Sequence, residues 1–83
     1  MEIKHDVENG RAWTEKDNYT AYVEYELENG TLNIVHTYVP GPLEGQGIAS
    51  ELVKYVYDYA LHEGFTPAAT CWYASTWLKR HME

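Results

Sequence analysis

HTYVPGPLEGQGIAS, residues 36–50, contains the change of pattern that decides the fold of this chain. It begins with residues that favour a strand and reaches Pro40-Gly41-Pro42, where proline removes the N–H donor that a strand ladder needs. From Gln46 onward the apolar residues recur with a helical period. A strand, a loop and a helix therefore follow one another, with Gly45 and Gly47 at the start of the helix.

The helix predicted from Gln46 has one apolar stripe, formed by Ile48, Leu52, Val56 and Ala60 and widened by Ala49 and Val53. The remaining positions are largely polar and are expected to face water. Gly64 is expected to end the helix, because glycine adopts the left-handed conformation that commonly follows a last helical turn.

The residues before this stretch are typical of strands joined by tight turns. Alternation over Ile3, His5 and Val7 predicts a first strand, and Asn9-Gly10 predicts a two-residue hairpin turn after it. Three further strands are predicted, with Asn29-Gly30 as a second hairpin turn between the last two: Arg11 to Lys16, Tyr19 to Glu28 and Thr31 to Val39.

The residues after the helix predict a fifth strand from Phe65 to Tyr73 and a short helix from Ala74 to His81. A strand, a helix and a second strand normally form a right-handed crossover with the two strands parallel. The predicted fold class is α+β, a mixed five-stranded sheet with an antiparallel meander and one parallel β-α-β unit. With 83 residues, a single domain over 1–83 is expected.

The composition narrows the classes of function. A net charge of −7 argues against nucleic acid and anionic membranes as partners, and it suits a cationic acceptor such as an amine, although solubility alone also explains it. No apolar run is long enough to span a bilayer, and the start of the chain lacks the apolar core of a secretory signal. A single cysteine, Cys71, fits a reducing cytoplasm.

The glycines at the start of the predicted helix suit a phosphate. The first N–H groups of a helix have no partner within it, the helix dipole adds positive potential, and glycine lets an anion approach the backbone. Gly45, Gln46, Gly47, Ile48 and Ala49 can therefore hold a pyrophosphate by main chain alone. The same residues are also compatible with a plain turn from a strand into a helix, and they match neither a Walker A loop nor a dinucleotide fingerprint.

The same loop resembles the coenzyme A signature of the GCN5-related N-acetyltransferase (GNAT) family, Gln/Arg-x-x-Gly-x-Gly/Ala. Residues 44–49 match at Gly47 and Ala49 and differ at Glu44. The flanks also resemble the minimal, single-domain members of that family: His36-Thr37-Tyr38-Val39-Pro40, Gly47-Ile48-Ala49-Ser50, Pro67 and Cys71-Trp72-Tyr73. This resemblance implies a truncated GNAT fold that binds acetyl-CoA, with the pantetheine arm between the splayed fourth and fifth strands. It adds Thr37, Tyr38, Val39 and Ser50 to the loop residues expected to bind the cofactor.

Two residues are candidates for catalysis. The resemblance implies a catalytic role for Cys71, expected late in the fifth strand, and a catalytic or orienting role for His36. A buried core cysteine and a hydrogen-bonded core histidine are the alternatives, since alternation along the fourth strand puts His36 on the same face as Leu32, Ile34 and Tyr38. A cysteine can accept the acetyl group before the amine does, or the amine can attack the thioester directly, and the sequence leaves both routes open. Other aromatic residues and histidines are assigned less directly: Trp72, Tyr73 and Trp77 line an acceptor pocket or pack the last helix, His5, His62 and His81 lie on the surface, and no metal site is expected.

The function predicted from the sequence is acetyl transfer from acetyl-CoA to a small-molecule or peptide amine. The alternatives are a catalytically inactive module that binds coenzyme A and an interaction domain of the same fold that does not bind it.

Overall fold

The computed structural model describes residues 1–81 and contains one mixed sheet with two helices. Its elements are β1 (Lys4–Asp6), β2 (Arg11–Lys16), β3 (Tyr19–Glu28), β4 (Thr31–Tyr38), α1 (Ile48–Glu63), β5 (Thr66–Ala69) and α2 (Trp72–His81), with a short 3₁₀ turn at Gly41–Leu43. The strands lie in the order β1-β2-β3-β4-β5; the first four pair antiparallel, and β4 and β5 pair parallel. The predicted α+β class and mixed five-stranded sheet are confirmed.

Two-residue turns connect the middle strands. Asp17 and Asn18 join β2 to β3, and Asn29 and Gly30 join β3 to β4; all four have positive φ angles. Positive φ at both central residues is the property of the type I′ turn, whose twist matches that of the flanking strands. The Asn29-Gly30 turn was expected from the sequence.

The turn between β1 and β2 differs from the prediction. Four residues, 7–10, separate the paired residues Asp6 and Arg11, so the expected two-residue Asn9-Gly10 turn is wrong. The Asp6 carboxylate accepts hydrogen bonds from the backbone N–H and the side-chain amide of Asn9, which stabilises the longer turn. Gly10 is required here, because a Cβ on it would lie 2.3 Å from the carbonyl oxygen of Tyr25.

Helix α1 covers one face of the sheet. Its buried residues are those of the predicted stripe, Ile48, Leu52, Val53, Val56 and Ala60, and they pack against Ala21, Val23, Leu32 and Ile34 of the strands. Burial of these side chains is the main source of stability for so small a domain. The helix ends at Gly64, which has a φ of 82° as expected, and the Gly64 N–H donates to the carbonyl groups of Ala60 and Leu61.

An aromatic cluster closes the carboxyl-terminal half of α1 against the sheet. His5 of β1 is half-buried there, and its Nε2 lies 2.6 Å from the Oη of Tyr25, while its Nδ1 lies 3.5 Å from the Oη of Tyr55. The His5 ring also contacts Tyr59 edge-on, with ring centroids 4.6 Å apart. The prediction that His5 lies on the surface is wrong, because it shares the inward face with its partner Ala12 on β2.

The end of the chain also differs from the prediction. Strand β5 stops at Ala69 and α2 begins at Trp72, so Cys71 precedes the helix and is not part of the strand. Trp77 anchors α2, because it is buried, stacks on His81 and donates from Nε1 to the Ser50 Oγ at 2.9 Å. Neither α1 nor α2 is both long and apolar enough to cross a membrane.

Candidate functional site

Strands β4 and β5 separate halfway along β4. Their parallel pairing runs from Thr31 and Thr66 to Ile34 and Ala69. The N–H groups of Thr70 and Cys71 then both donate to the carbonyl of Ile34, at 3.1 and 3.2 Å, and this closes the ladder. Strand β4 continues to Tyr38 with β3 as its only neighbouring strand among residues 1–81, so a notch opens beside residues 35–38.

A bulge within β4 decides which side chains face this notch. Ile34 pairs with Tyr25 and His36 pairs with Glu24, which leaves Val35 as the extra residue. An extra residue reverses the alternation of side chains beyond it. His36 therefore lies on the open face of the sheet with Glu24, and the prediction that it shares a face with Leu32 and Ile34 is wrong.

Thr37 occupies the other face and meets Cys71. The Sγ of Cys71 lies 3.5 Å from the Oγ1 of Thr37. Cys71 sits directly before α2, and its carbonyl accepts the first hydrogen bond of that helix, from the N–H of Ser75. Because His36 and Thr37 point to opposite faces, the structure brings Cys71 together with Thr37 and not with His36.

This position changes the acidity of Cys71. Partial burial alone would raise the pKa of the Cys71 thiol, but hydrogen bonding outweighs it, and the pKa is lowered from its usual value. The N–H groups of Ala74 and Tyr73, in the first turn of α2, and the hydroxyl and N–H of Thr37 favour the thiolate. The half-buried sulfur is therefore more easily deprotonated than that of a free cysteine.

The segment from Gly45 to Ala49, called here the glycine loop, forms the other wall of the notch. Gly45 and Gly47 have φ angles of 79° and 76°, and no atom lies within 4 Å of the place where a Cβ would be on either residue. Gly47 precedes the first residue of α1, and no side chain caps this end of the helix. The loop therefore presents backbone N–H groups to open space at the positive end of the helix dipole.

A cavity of about 300 Å³ connects these parts. It lies between the end of β4, the glycine loop and the start of α2, and its lining residues are Val39, Leu43, Glu44, Gly45, Gly47, Ile48, Ala49, Ser50 and Tyr73. Six of the predicted cofactor-binding residues are in this lining: Val39, Gly45, Gly47, Ile48, Ala49 and Ser50. The open space over the glycines and the uncapped helix fit the phosphates of coenzyme A.

The three remaining predicted cofactor-binding residues lie beside the cavity. Thr37 contacts Cys71 as described, and Tyr38 is 47% exposed on the open face, next to Tyr22. Gln46 turns away from the cavity: its Nε2 donates to the carbonyl of Pro42 at 3.3 Å.

Lys16 is a neighbour of the loop that sequence reasoning missed. Its Nζ donates to the Oε1 of Gln46 at 2.5 Å, across 30 positions of sequence. Lys16 ends β2, and the two-residue turn after it places it at the same end of the sheet as the loop after β4. No local pattern around Lys16 indicates this contact, because it depends on the pairing of three strands.

A second cavity lies on the other side of Tyr73. It measures about 410 Å³ and is lined by Ser50, Trp72, Tyr73, Thr76, Trp77, Arg80 and His81. Trp72 is 81% exposed, whereas Trp77 is buried. Of the three aromatic residues, Trp77 thus packs α2 against α1, and Trp72 and Tyr73 are the ones accessible to a ligand.

An antiparallel meander, a crossover to a parallel fifth strand and a notch beside a glycine-rich helix start are together the features of a GNAT-type acetyltransferase fold. A family model described as "GCN5-related N-acetyl-transferase" matches residues 11–83. The chain belongs to the GCN5-related N-acetyltransferase family.

Individual relatives agree with this assignment. The chain resembles the NMR solution structure of a GCN5-like putative N-acetyltransferase from Staphylococcus aureus, with a TM-score of 0.75 and 29% sequence identity over 96% of this chain and 79% of that one. It is 35% identical over 51 residues to Protein NATD1 of Xenopus tropicalis and 34% identical over 50 residues to Protein NATD1 of Homo sapiens. The matches cover 61% and 60% of this chain but only 47% and 44% of the NATD1 proteins.

Proposed function

We propose that the chain binds acetyl-CoA at the notch between β4 and β5 and transfers its acetyl group to an amine of a small molecule or peptide. The observation that carries the proposal is that the uncapped start of α1 and the two positive-φ glycines line one cavity, with the Cys71–Thr37 pair just outside its lining, where β4 and β5 separate. Membership of the GNAT family supports the same cofactor.

The residues of the loop hold the phosphates in this proposal. N–H groups from Gly45 to Ser50 donate to phosphate oxygens, and Gly45 and Gly47 allow the close approach. The pantetheine arm lies along Thr37, Tyr38 and Val39, where β4 has backbone groups that β5 does not pair. Glu44 also lines the cavity, and its carboxylate weakens phosphate binding through charge repulsion.

Acetyl-CoA supplies an acyl group already activated as a thioester. Cys71, with its lowered pKa, is the proposed nucleophile: its sulfur gains the acetyl group and the coenzyme A thiol leaves. An amine then takes the acetyl group from Cys71. His36 does not deprotonate Cys71 in this scheme, since its side chain lies on the opposite face; it is proposed to accept the proton of an amine that arrives from the open face.

Calorimetric titration with coenzyme A tests the site. Gly47→Asp adds a side chain and a negative charge at the start of α1 and is expected to abolish binding. Gly64→Asp is the matched control, because it places the same residue on a positive-φ glycine at the other end of the same helix. Binding in the Gly64 variant and none in the Gly47 variant would support the site; equal affinity in both folded proteins would overturn it.

Mass spectrometry after incubation with acetyl-CoA tests the chemistry. The expected result is an adduct of one acetyl group that is absent in Cys71→Ser and is discharged by an amine acceptor. Acetyl transfer at the wild-type rate by Cys71→Ala would instead require direct attack by the amine. Binding without an adduct or turnover across a panel of amines would favour the inactive coenzyme A-binding module.

A further inference from the structure

Within the described part of the chain, the side chain of Lys16 is hydrogen-bonded to a neutral residue and not to a carboxylate. Among residues 1–81 the ion pairs are Lys4–Glu15, Lys54–Asp58 and His62–Glu63, and Lys16 is in none of them. Its hydrogen-bond partner is the neutral side-chain amide of Gln46, at 2.5 Å. The adjacent Glu15 is engaged by Lys4 at 3.0 Å, so that carboxylate is paired elsewhere.

The contact places a positive charge beside the glycine loop. Gln46 lies between Gly45 and Gly47, and its side chain spans the carbonyl of Pro42 and the ammonium of Lys16. An ammonium group has three N–H donors, and the bond to Gln46 uses one of them. The other two lie next to a cavity of about 360 Å³ that Lys16 and Gln46 line together with Ile48 of α1, which also lines the cavity at the glycine loop. The other lining residues are Met1, Glu2, Thr14 and Glu15, so two carboxylates share this cavity with the ammonium group.

The charge of Lys16 compensates for the absence of a cation in the loop itself. The first position of the family signature is arginine or glutamine, whereas this chain has Glu44, whose carboxylate lines the other side of the same loop. A loop that binds phosphate with a carboxylate beside it gains from a cation nearby. Among the basic residues of the chain, Lys16 is the one that contacts a residue of the loop within the described part of the structure.

We propose that Lys16 contacts a phosphate of coenzyme A from outside the signature loop, with Gln46 holding its ammonium group in position. The inference depends on the proposed function, because it requires that coenzyme A binds at the glycine loop. The β2–β3 hairpin then takes part in cofactor recognition through Lys16, which supplies a positive charge that neither the glycine loop nor β4 contains.

The experiment measures the affinity for coenzyme A, dephospho-CoA and pantetheine by calorimetry. Lys16→Gln is expected to weaken coenzyme A binding about three- to tenfold, as suits loss of one partly screened charge contact. Lys54→Gln removes one positive charge from the exposed face of α1 and is the matched control, expected to change affinity less than about twofold. Lys16→Arg, which keeps the charge, is expected to retain most of the affinity.

The ligand series distinguishes the phosphates. A penalty that disappears with dephospho-CoA assigns Lys16 to the 3′-phosphate, whereas one that persists there and disappears with pantetheine assigns it to the pyrophosphate. A penalty that persists with pantetheine, or equal effects of Lys16→Gln and Lys54→Gln, would overturn the proposal. If the wild-type protein binds none of the three ligands, the proposed function fails and the Lys16 proposal fails with it. If the wild-type protein binds coenzyme A and Lys16→Gln does not weaken that binding, the Lys16 proposal alone fails.

Discussion

At its carboxyl end, α1 turns into Gly64, whose N–H is bonded to carbonyls of the last turn, and the helix face beside it is filled by His5, Tyr25 and Tyr59. At its amino end, Gly47 also has a positive φ, but no side chain caps the first turn and a cavity lies beside it. A glycine with positive φ thus flanks α1 at both ends, but the surroundings of the two glycines differ. The filled end contributes stability, and the empty end leaves donors free for a ligand.

The largest expected effect concerns the stability of the filled end. Tyr25 is 4% exposed and its hydroxyl bonds His5, so Tyr25→Ala is expected to lower the free energy of unfolding by about 3–5 kcal/mol. Tyr25→Phe removes the hydroxyl alone and should cost about 1 kcal/mol. Chemical denaturation followed by circular dichroism measures both changes.

Tyr73→Ala at the open end is the counterpart. Tyr73 is half-buried and lines the cavity, so its removal should cost less stability than that of Tyr25 and should weaken coenzyme A binding. If the two alanine variants lose equal stability, the proposed contrast between the ends of α1 is wrong.

The pH dependence of stability is expected to come partly from the filled end. Burial lowers the pKa of His5 below its usual 6.5, and the nearby Asp6 opposes this only partly. The unfolded chain therefore binds the proton more tightly, so the stability due to neutral His5 is complete above about pH 6.5 and is lost as the pH falls through the folded-state pKa. The groups facing His5 are Asp6 on β1, Tyr25 on β3 and Tyr55 and Tyr59 on α1.

Denaturation between pH 7.5 and 5.5 tests this expectation, since the window lies above the range in which ordinary carboxyl groups titrate. His5→Gln should show a flatter dependence than the wild type. His62→Gln, which changes an exposed histidine, controls for the loss of a histidine elsewhere. An equal change of slope in both variants would contradict the assignment to His5. Tyr25, which bonds His5, should not titrate in this window, because burial raises the pKa of Tyr25 to about 12.

A smaller effect is expected on the reactivity of Cys71 at the open end. Since hydrogen bonds lower the pKa of its thiol, alkylation by iodoacetamide should reach half its maximal rate at a lower pH than for a free cysteine. Thr37→Val removes the one hydroxyl among the hydrogen-bond donors that stabilise the thiolate and should move this midpoint upward. An unchanged midpoint in a folded Thr37→Val protein would show that the hydroxyl does not act on the sulfur.

The smallest expected effect is that of Glu44. Glu44→Arg replaces a carboxylate lining the cavity with a cation and should tighten coenzyme A binding several-fold at low salt, with a smaller gain at high salt. Calorimetry at two ionic strengths measures the difference, and Glu63→Arg, which changes an exposed carboxylate at the other end of α1, is the control. No change in affinity for Glu44→Arg would mean that its side chain points to solvent.

Much of the fold could be predicted from the sequence because its signals are local. The bounds of β2 and β3, the stripe of α1 and the glycine after it follow from alternation, helical period and turn chemistry, and the structure confirms them. The orientation of His36 could not be predicted, because the bulge at Val35 reverses the alternation without any marker in the sequence. The end of β5 could not be predicted for a related reason. The pairing of β5 with β4 stops where the N–H groups of Thr70 and Cys71 both donate to the carbonyl of Ile34, and that residue lies on the other strand.

The candidate site divides in the same way. The glycine loop and the start of α1 are contiguous, so their residues could be named in advance, and five of them line one cavity: Gly45, Gly47, Ile48, Ala49 and Ser50. The Cys71–Thr37 contact and the Lys16–Gln46 contact join residues 34 and 30 positions apart and depend on strand pairing. Such pairs become visible only when the register of the sheet is known.

The parallel pairing of β4 with β5 also bears on the order of folding. The first four strands are joined by short turns, whereas β5 reaches β4 only after the chain from Tyr38 to Thr66 has formed the loop and α1. Contacts between residues distant in sequence form slowly, because closing a long loop costs entropy before it gains contacts. Until β5 arrives, the backbone N–H and C=O groups of residues 31–34 form an unpaired strand edge, and we expect partly folded chains to aggregate through it.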